Sequence, residues 1–252
     1  RADEMKTGDK VVVLPSIVPL ELPKTGQIVV SQINITQAAK AGMRTNNYIN
    51  ELEGLKLLPF RANDERMPVA ARIMGALFSD GSLYSAKKNN YREVSFTLGN
   101  KEDANKVASD LSMLGFPKTH IRKRVTKNRI AGRNFTATTI RVKCLSTSLW
   151  LLLKSLGVPE GNKQNNAYRV PAWLLEAPLL VQREFLAGYL GGDGPRVTLK
   201  LQERPKKEPY NHVGINDLEF HKRSDLEKSG LQFASDISKM LARFGIKTSI
   251  FS

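Results

Sequence analysis

The spacing of apolar positions changes along the chain, and the changes mark its elements. Over residues 1–30, "KVVVLPSIVPLELP" and "GQIVV" are short apolar runs punctuated by prolines and a Thr-Gly pair, the pattern of short strands. From residue 35 the spacing turns helical. Thr36 can cap a helix over Ala38 to Ala41, Gly42 breaks it, and Thr45 can cap a second helix through Tyr48, Ile49 and Leu52. A helix, a glycine turn and a polar second helix is the layout of a helix-turn-helix, which any small helical hairpin shares.

From residue 63 the pattern repeats, and a repeat decides architecture more than any local motif does. Unit one opens with an apolar helix entered through Pro68 and ending at "FSDG". Strand-like "GSLYS" and "EVSFTL" follow, then a helix over "KVASDLSMLGFPKT" (106–119). Unit two opens with a helix entered through Pro178 and ending at "GGDG". After it come strand-like "RVTLKL" and "DLEFH", then a helix over "FASDISKMLARFGIKTS" (233–249). Asp80 to Asp110 is 30 residues and Asp193 to Asp236 is 43, so the second copy carries extra residues, expected in "QERPKKEPYNHVG" (202–214). Unit one continues into a basic hairpin turning near "AGRN" and a closing helix, "STSLWLLLKSLGV". Unit two has no counterpart to these before residue 252.

Charge narrows the partner. The chain has 39 Lys and Arg against 24 acids, a net charge of +15, and between Lys118 and Lys143 lie nine bases and no acid. An unbroken basic run threaded through alternating apolar positions suits phosphate contact better than a merely solvated face. The single cysteine excludes a disulfide scaffold or thiolate zinc site, and the three scattered histidines form no metal motif. No apolar run is long enough to span a bilayer and no signal-peptide pattern opens the chain, so no membrane and an intracellular setting (cytoplasm or nucleoid) are expected.

Aligned on their final "DG", the two opening helices match Gly75 with Gly188 and Ser79 with Gly192. Small residues four apart share one face and let two helices approach backbone to backbone. Side by side, these helices would bring Asp80 and Asp193 out together at one end. Two neighbouring carboxylates at negative helix termini repel each other, and a divalent cation between them reverses that penalty. An oxygen-only pair suits Mg2+, and on a basic surface it suggests phosphodiester hydrolysis.

"IMGALFSDG" and "LAGYLGGDG" resemble the paired motifs of LAGLIDADG homing endonucleases, the single-chain, two-motif kind found inside inteins. The resemblance covers about residues 70–250. It implies an α+β fold of two pseudo-symmetric αββαββα halves packed through their motif helices, the second incomplete here. Their sheets would form a saddle over double-stranded DNA at a long asymmetric site, with the protein acting as a monomer. Asp80 and Asp193 would bind Mg2+, one acid per strand cut, with the backbone carbonyls of Ser79 and Gly192 as further ligands. "GNK…YRVPAWLL" (161–175) resembles the block preceding the second motif in intein endonucleases and makes Lys163 the basic catalytic candidate. Lys101 and Lys222 follow the first hairpin of each unit and could also reach the centre. "EMKTGDKVVVLP" is similar to a strand of intein splicing domains, though without the residues splicing needs.

The expected organisation is a β-rich segment over 1–30, a helix-turn-helix-like element over 31–62, and halves over 63–165 and 166–252. Base readout is expected from strands over 92–98, 121–128, 136–143 and 196–201. The expected DNA contacts are Lys87, Lys88, Arg92, Lys101, Arg122, Lys123, Arg124, Lys127, Arg129, Arg133, Arg141, Lys143, Arg196, Lys200 and Lys222. The rival is a silent member of the same fold serving as a DNA-binding regulator or RNA maturase. Retention of both acids favours the endonuclease.

Overall fold

The computed structural model of the chain describes residues 20–39, 42–86, 91–130, 133–193, 198–204, 207–214 and 221–250, with the backbone alone for 126–130, 133–135, 193, 198–204 and 207–214. Of the expected β-rich start, residues 1–19 lie outside the described residues, as do Lys87, Lys88, Arg196 and most of "DLEFH"; "GQIVV" is described and carries a strand.

The first described unit is small. Strand β1 (Ile28–Val30) pairs antiparallel with β2 (Phe60–Arg61), and helices α1 (Gln32–Ala38) and α2 (Asn46–Gly54) lie between them in sequence. Here the sequence reading shifts. Helix α1 starts before Thr36 because Asn34 reaches back to accept from both the N–H and the hydroxyl of Ser31, closing the first turn there. Thr36 sits inside the helix, its hydroxyl on the Gln32 carbonyl. Helix α2 does begin after Thr45, but it carries Glu51 and Glu53 and no lysine or arginine. Ser148 of a later helix bonds Glu51, and Gln32 bonds Glu53.

The rest is α+β. In order come α3 (Met67–Phe78), β3 (Gly81–Ser85), β4 (Arg92–Leu98), α4 (Lys101–Met113), β5 (Thr119–Ile130), β6 (Arg133–Cys144) and α5 (Thr147–Ser155). A short helix α6 (Ala172–Leu175) leads to α7 (Leu179–Asp193), β7 (Thr198–Arg204), β8 (Lys207–Gly214) and α8 (Glu227–Ala242). The order αββα thus occurs twice. The first copy builds a four-stranded antiparallel sheet, order β3-β4-β6-β5, and the second a hairpin of β7 and β8. Residues 207–214, expected as an insertion, form the second strand of that hairpin. Helix α4 starts earlier than expected, capped by the Asn100 side chain on the Asp103 N–H, and Gly115 in the left-handed region (φ 95°) follows its end.

Helix α3 is buried nearly all round because it packs on α7, α4 and the sheet at once. Phe78, Tyr168, Phe185, Tyr189 and Phe233 form an aromatic cluster with centroids 5.1 to 6.4 Å apart, joining the end of α3 to the bodies of α7 and α8. The repeated "ASD" triplets also find a use. Asp110 on α4 accepts both arms of Arg72 on α3 at 2.7 and 2.8 Å. Asp236 on α8, fully buried, accepts both arms of Arg169 at 3.0 and 3.1 Å. Arg72 also bonds Glu184 on α7, tying the two motif helices by charge as well as by shape. Among the described residues no helix is long and apolar enough to cross a membrane.

Candidate functional site

The site grows from the contact of α3 with α7. A Cβ on Gly75 would lie 2.7 Å from the Tyr189 nitrogen and closer still to the Phe185 carbonyl oxygen. A Cβ on Gly188 would lie 3.0 Å from the Ala76 nitrogen and closer still to the Arg72 carbonyl oxygen. These are backbone neighbours that cannot swing away, so only glycine permits the approach. Further along, a Cβ on Gly192 would meet the Ser79 side chain and stand 3.1 Å from Asp80 Oδ2. The aligned small residues therefore do face one another, and Asp80 lies against Gly192, the residue that precedes Asp193 in the last turn of α7.

Asp80 follows the Ser79 cap of α3 and immediately precedes β3; its carbonyl accepts from the Thr97 N–H of β4 at 3.4 Å. Burial by the surrounding backbone pushes its carboxyl above the usual value, and the nearby Lys163 ammonium pulls the other way. Asp193 is the last residue of α7; its side chain is outside the described residues. Among the described residues, no three His, Cys, Asp or Glu side chains cluster as a metal cage.

Lys163 arrives from the loop between α5 and α6, on a short 3-10 turn capped by the Asn162 side chain. Its ammonium donates to the Leu77 carbonyl at 3.0 Å and to the Ser79 carbonyl. The Ser79 carbonyl, expected as a metal ligand, is thus an acceptor for Lys163. Gly192 lies in the last turn of α7, where helix geometry gives carbonyls no intrahelical donor. Lys222, from the far side of the second hairpin, donates to the carbonyls of Lys163 and Asn166 at 2.6 and 2.7 Å and sits 3.4 Å above the Tyr168 ring. Burial, then the Lys163 charge, lowers its pKa to about 8. Lys101 opens α4 as an exposed residue, and no bond ties it to Asp80. Tyr168 escaped the sequence reading because nothing in the spacing marks it as the floor beneath Lys222.

Strand alternation divides the four-stranded sheet. Val94, Phe96 and Val142 face the helices and are buried. On the other face, Arg122 and Arg141 stand directly opposite across β5 and β6, as do His120 and Lys143. Of these pairs, Arg122 and Arg141 set like charges directly opposite, which destabilises a sheet; Glu93 offsets this by pairing with Arg141 and also with Lys143. Arg122 and Arg124 are exposed; Lys123 points to the opposite face from them. Lys127, Arg129, Arg133 and Lys200 lie on described strands without described side chains. Arg92 is a correction. Expected on DNA, it is 5% exposed on the helix side, its guanidinium 5.1 Å from the centre of the Trp150 ring and bonded to the Tyr91 carbonyl, out of reach of a phosphate.

No known family model matches the chain. It is 33% identical over 98% of its length to a tRNA-splicing ligase RtcB of Pyrococcus furiosus, covering 24% of that protein. It is 31% identical over 99% of its length to the DNA-directed RNA polymerase subunit Rpo1N of Methanocaldococcus jannaschii, covering 18% of it. It is 28% identical over 81% of its length to the replication factor C small subunit of the same organism, covering 10% of it. The chain thus spans about a quarter or less of these curated relatives. Among solved structures it is similar to the homing endonuclease I-DmoI in complex with DNA and Mn, at 14% identity and a TM-score of 0.43 over 74% of this chain and 83% of that one. It is also similar to the homing endonuclease I-WcaI bound to its DNA recognition sequence, at 10% identity and a TM-score of 0.38 over 66% of this chain and 65% of that one. Three differently named proteins thus each contain a segment similar to most of this chain.

Proposed function

We propose that the chain is a site-specific, divalent-metal-dependent DNA endonuclease of the LAGLIDADG type, acting through paired acids at the ends of α3 and α7. The observation that carries this reading is the glycine contact of the two helices, which sets Asp80 against the turn that ends in Asp193, with the Lys163 ammonium beside it. The two αββα runs are then the halves of a pseudo-symmetric body, and the basic sheet face is the surface laid on the duplex. The spread of relatives supports the same reading. One segment carried at 24%, 18% and 10% of the length of three differently named proteins suits a self-contained mobile insert, as an intein endonuclease is.

The donors fit a hard cation. The Asp80 carboxylate, the Gly192 carbonyl and the acid at position 193 are all oxygen donors, and a desolvated carboxylate gains most from a positive charge. When bound there, Mg2+ would polarise the phosphate and activate water. Lys163 holds a positive charge beside the cleaved bond and can neutralise charge on the phosphate oxygens. Lys222 fixes the loop that presents Lys163, through the two carbonyls it bonds. The basic face of β5 and β6 holds the duplex by phosphate contacts and reads its bases.

The test is incubation of the chain with a randomised duplex library in Mg2+ and, separately, in EDTA. Cleavage at a recurring sequence in Mg2+ alone is expected. Tight sequence-selective binding without cleavage would instead make the chain a regulator.

A further inference from the structure

One acid interrupts the basic sheet face. Glu93 lies in β4 between the buried Arg92 and Val94, on the opposite side from the helices, yet is only 3% exposed. Its carboxylate is covered by its own partners. Arg141 Nη2 donates to one oxygen at 2.7 Å, the Lys143 ammonium donates to the other at 2.7 Å, and the Tyr91 hydroxyl donates to that second oxygen too. Arg141 Nη2 also lies 3.4 Å from the Ser95 hydroxyl. Tyr84, directly across from Glu93 on β3, meets the Tyr91 ring edge to face. Together Ser82, Tyr84, Tyr91, Glu93 and Arg141 line a shallow hollow of about 330 Å³ on this face.

A surface selected only to attract phosphates would lose this carboxylate, because it cancels charge where charge gives affinity. A surface that reads bases gains from it. Long basic side chains are mobile, and a guanidinium distinguishes guanine only when its fork is held in plane with the base edge. Glu93 grips one nitrogen of that fork, and 41% of the Arg141 side chain remains exposed above the sheet. Lys143, on the other carboxylate oxygen, is 29% exposed and held beside it.

We infer that Glu93 is a positioning residue for base readout, holding Arg141 in the orientation that reads a guanine in the major groove. The inference rests on the proposed DNA-binding function. Glu93 does not touch the duplex; it acts through Arg141, and its lost charge is the cost of a fixed fork.

The experiment is selection of bound sequences from a randomised duplex library with Ca2+ in place of Mg2+, by the parent, Glu93→Gln and Arg141→Lys. For Glu93→Gln, the preference for guanine at one or two adjacent positions should fall about tenfold while the remaining positions keep theirs. Affinity for bulk duplex should hold or rise, because the variant carries one more net positive charge. Arg141→Lys keeps the charge that neutralises Glu93 but removes the fork, so it should lose preference at the same positions; it remains informative if Glu93→Gln does not fold. Equal loss of preference at every position, or unchanged preference in both variants, would overturn the inference, as would loss at different positions in the two. A parent that selects no sequence would overturn the DNA-binding reading itself, a result separate from any of these.

Discussion

Substituting alanine at Gly75 or Gly188 tests the helix contact on which the site depends. In an isolated helix either change would stabilise by about 1 kcal/mol, since glycine is the poorer helix former. Here the new methyl would lie 2.7 Å from the Tyr189 nitrogen at Gly75 and 3.0 Å from the Ala76 nitrogen at Gly188, with a carbonyl oxygen nearer in each case. Both neighbours are backbone, so relief requires the helices themselves to move apart. Overpacking of a core costs roughly 1–3 kcal/mol, and more where nothing flexible can move. The separation also loosens the aromatic cluster around Phe185 and Tyr189. A net destabilisation of about 2 kcal/mol follows, a fall in Tm of about 4–8 °C for a chain of this size. Because Gly192 meets Ser79 and Asp80 at the same seam, cleavage should fall with it. Gly191→Ala is the control: nothing lies within 4 Å of that Cβ, so stability should hold or rise. Thermal melts of the three variants read the difference. Gly75→Ala and Gly188→Ala melting at or above the parent would refute the close contact, as would Gly191→Ala losing as much as they do.

Other expectations follow from the site. Lys163→Met removes the ammonium bonded to the Leu77 and Ser79 carbonyls, and single-turnover cleavage should fall about 10²–10³-fold while duplex affinity changes far less; cleavage at the parental rate would remove Lys163 from the chemistry. Lys222 has its folded pKa lowered to about 8 from 10.5, so between those values the unfolded chain holds the proton more tightly. Stability should therefore rise with pH through that window, and Lys222→Met should flatten the rise in melts taken from pH 7.5 to 10. Arg122→Ala on the exposed sheet face should weaken binding and reduce the slope of log affinity against log salt by about 1; an unchanged slope would take the face off the phosphate backbone.

The parts of this structure governed by local rules were legible in the sequence. Gly75, Ser79, Gly188 and Gly192 marked the helix contact because spacing of four fixes a helix face whatever lies around it. Alternation in "EVSFTL" and the long basic hairpin gave β4, β5 and β6 for the same reason. What could not be read is what long-range packing decides. Arg92 counted as a surface base, but its place in β4 puts it on the helix side, under Trp150. The extra residues of the second copy were expected in the Pro-bearing stretch 202–214, yet 207–214 pairs with β7 as its antiparallel partner. Helix α1 was misplaced by the pull of Thr36, because the Ser31–Asn34 bonds that close its first turn outweigh one capping residue. Glu93 passed unnoticed because one acid among many bases has meaning only when its three partners converge, two from β6 and one from the residue just before β4.

The paired-acid centre is tested most directly by strand-resolved cleavage of a selected duplex by Asp80→Asn, by Asp193→Asn and by the double variant in Mg2+. Each single variant should nick one strand and leave the other whole, the two nicks falling on opposite strands, and the double variant should cut neither. Cleavage of both strands by Asp80→Asn at the parental rate, or cleavage by the parent in EDTA, would contradict a metal held between the ends of α3 and α7.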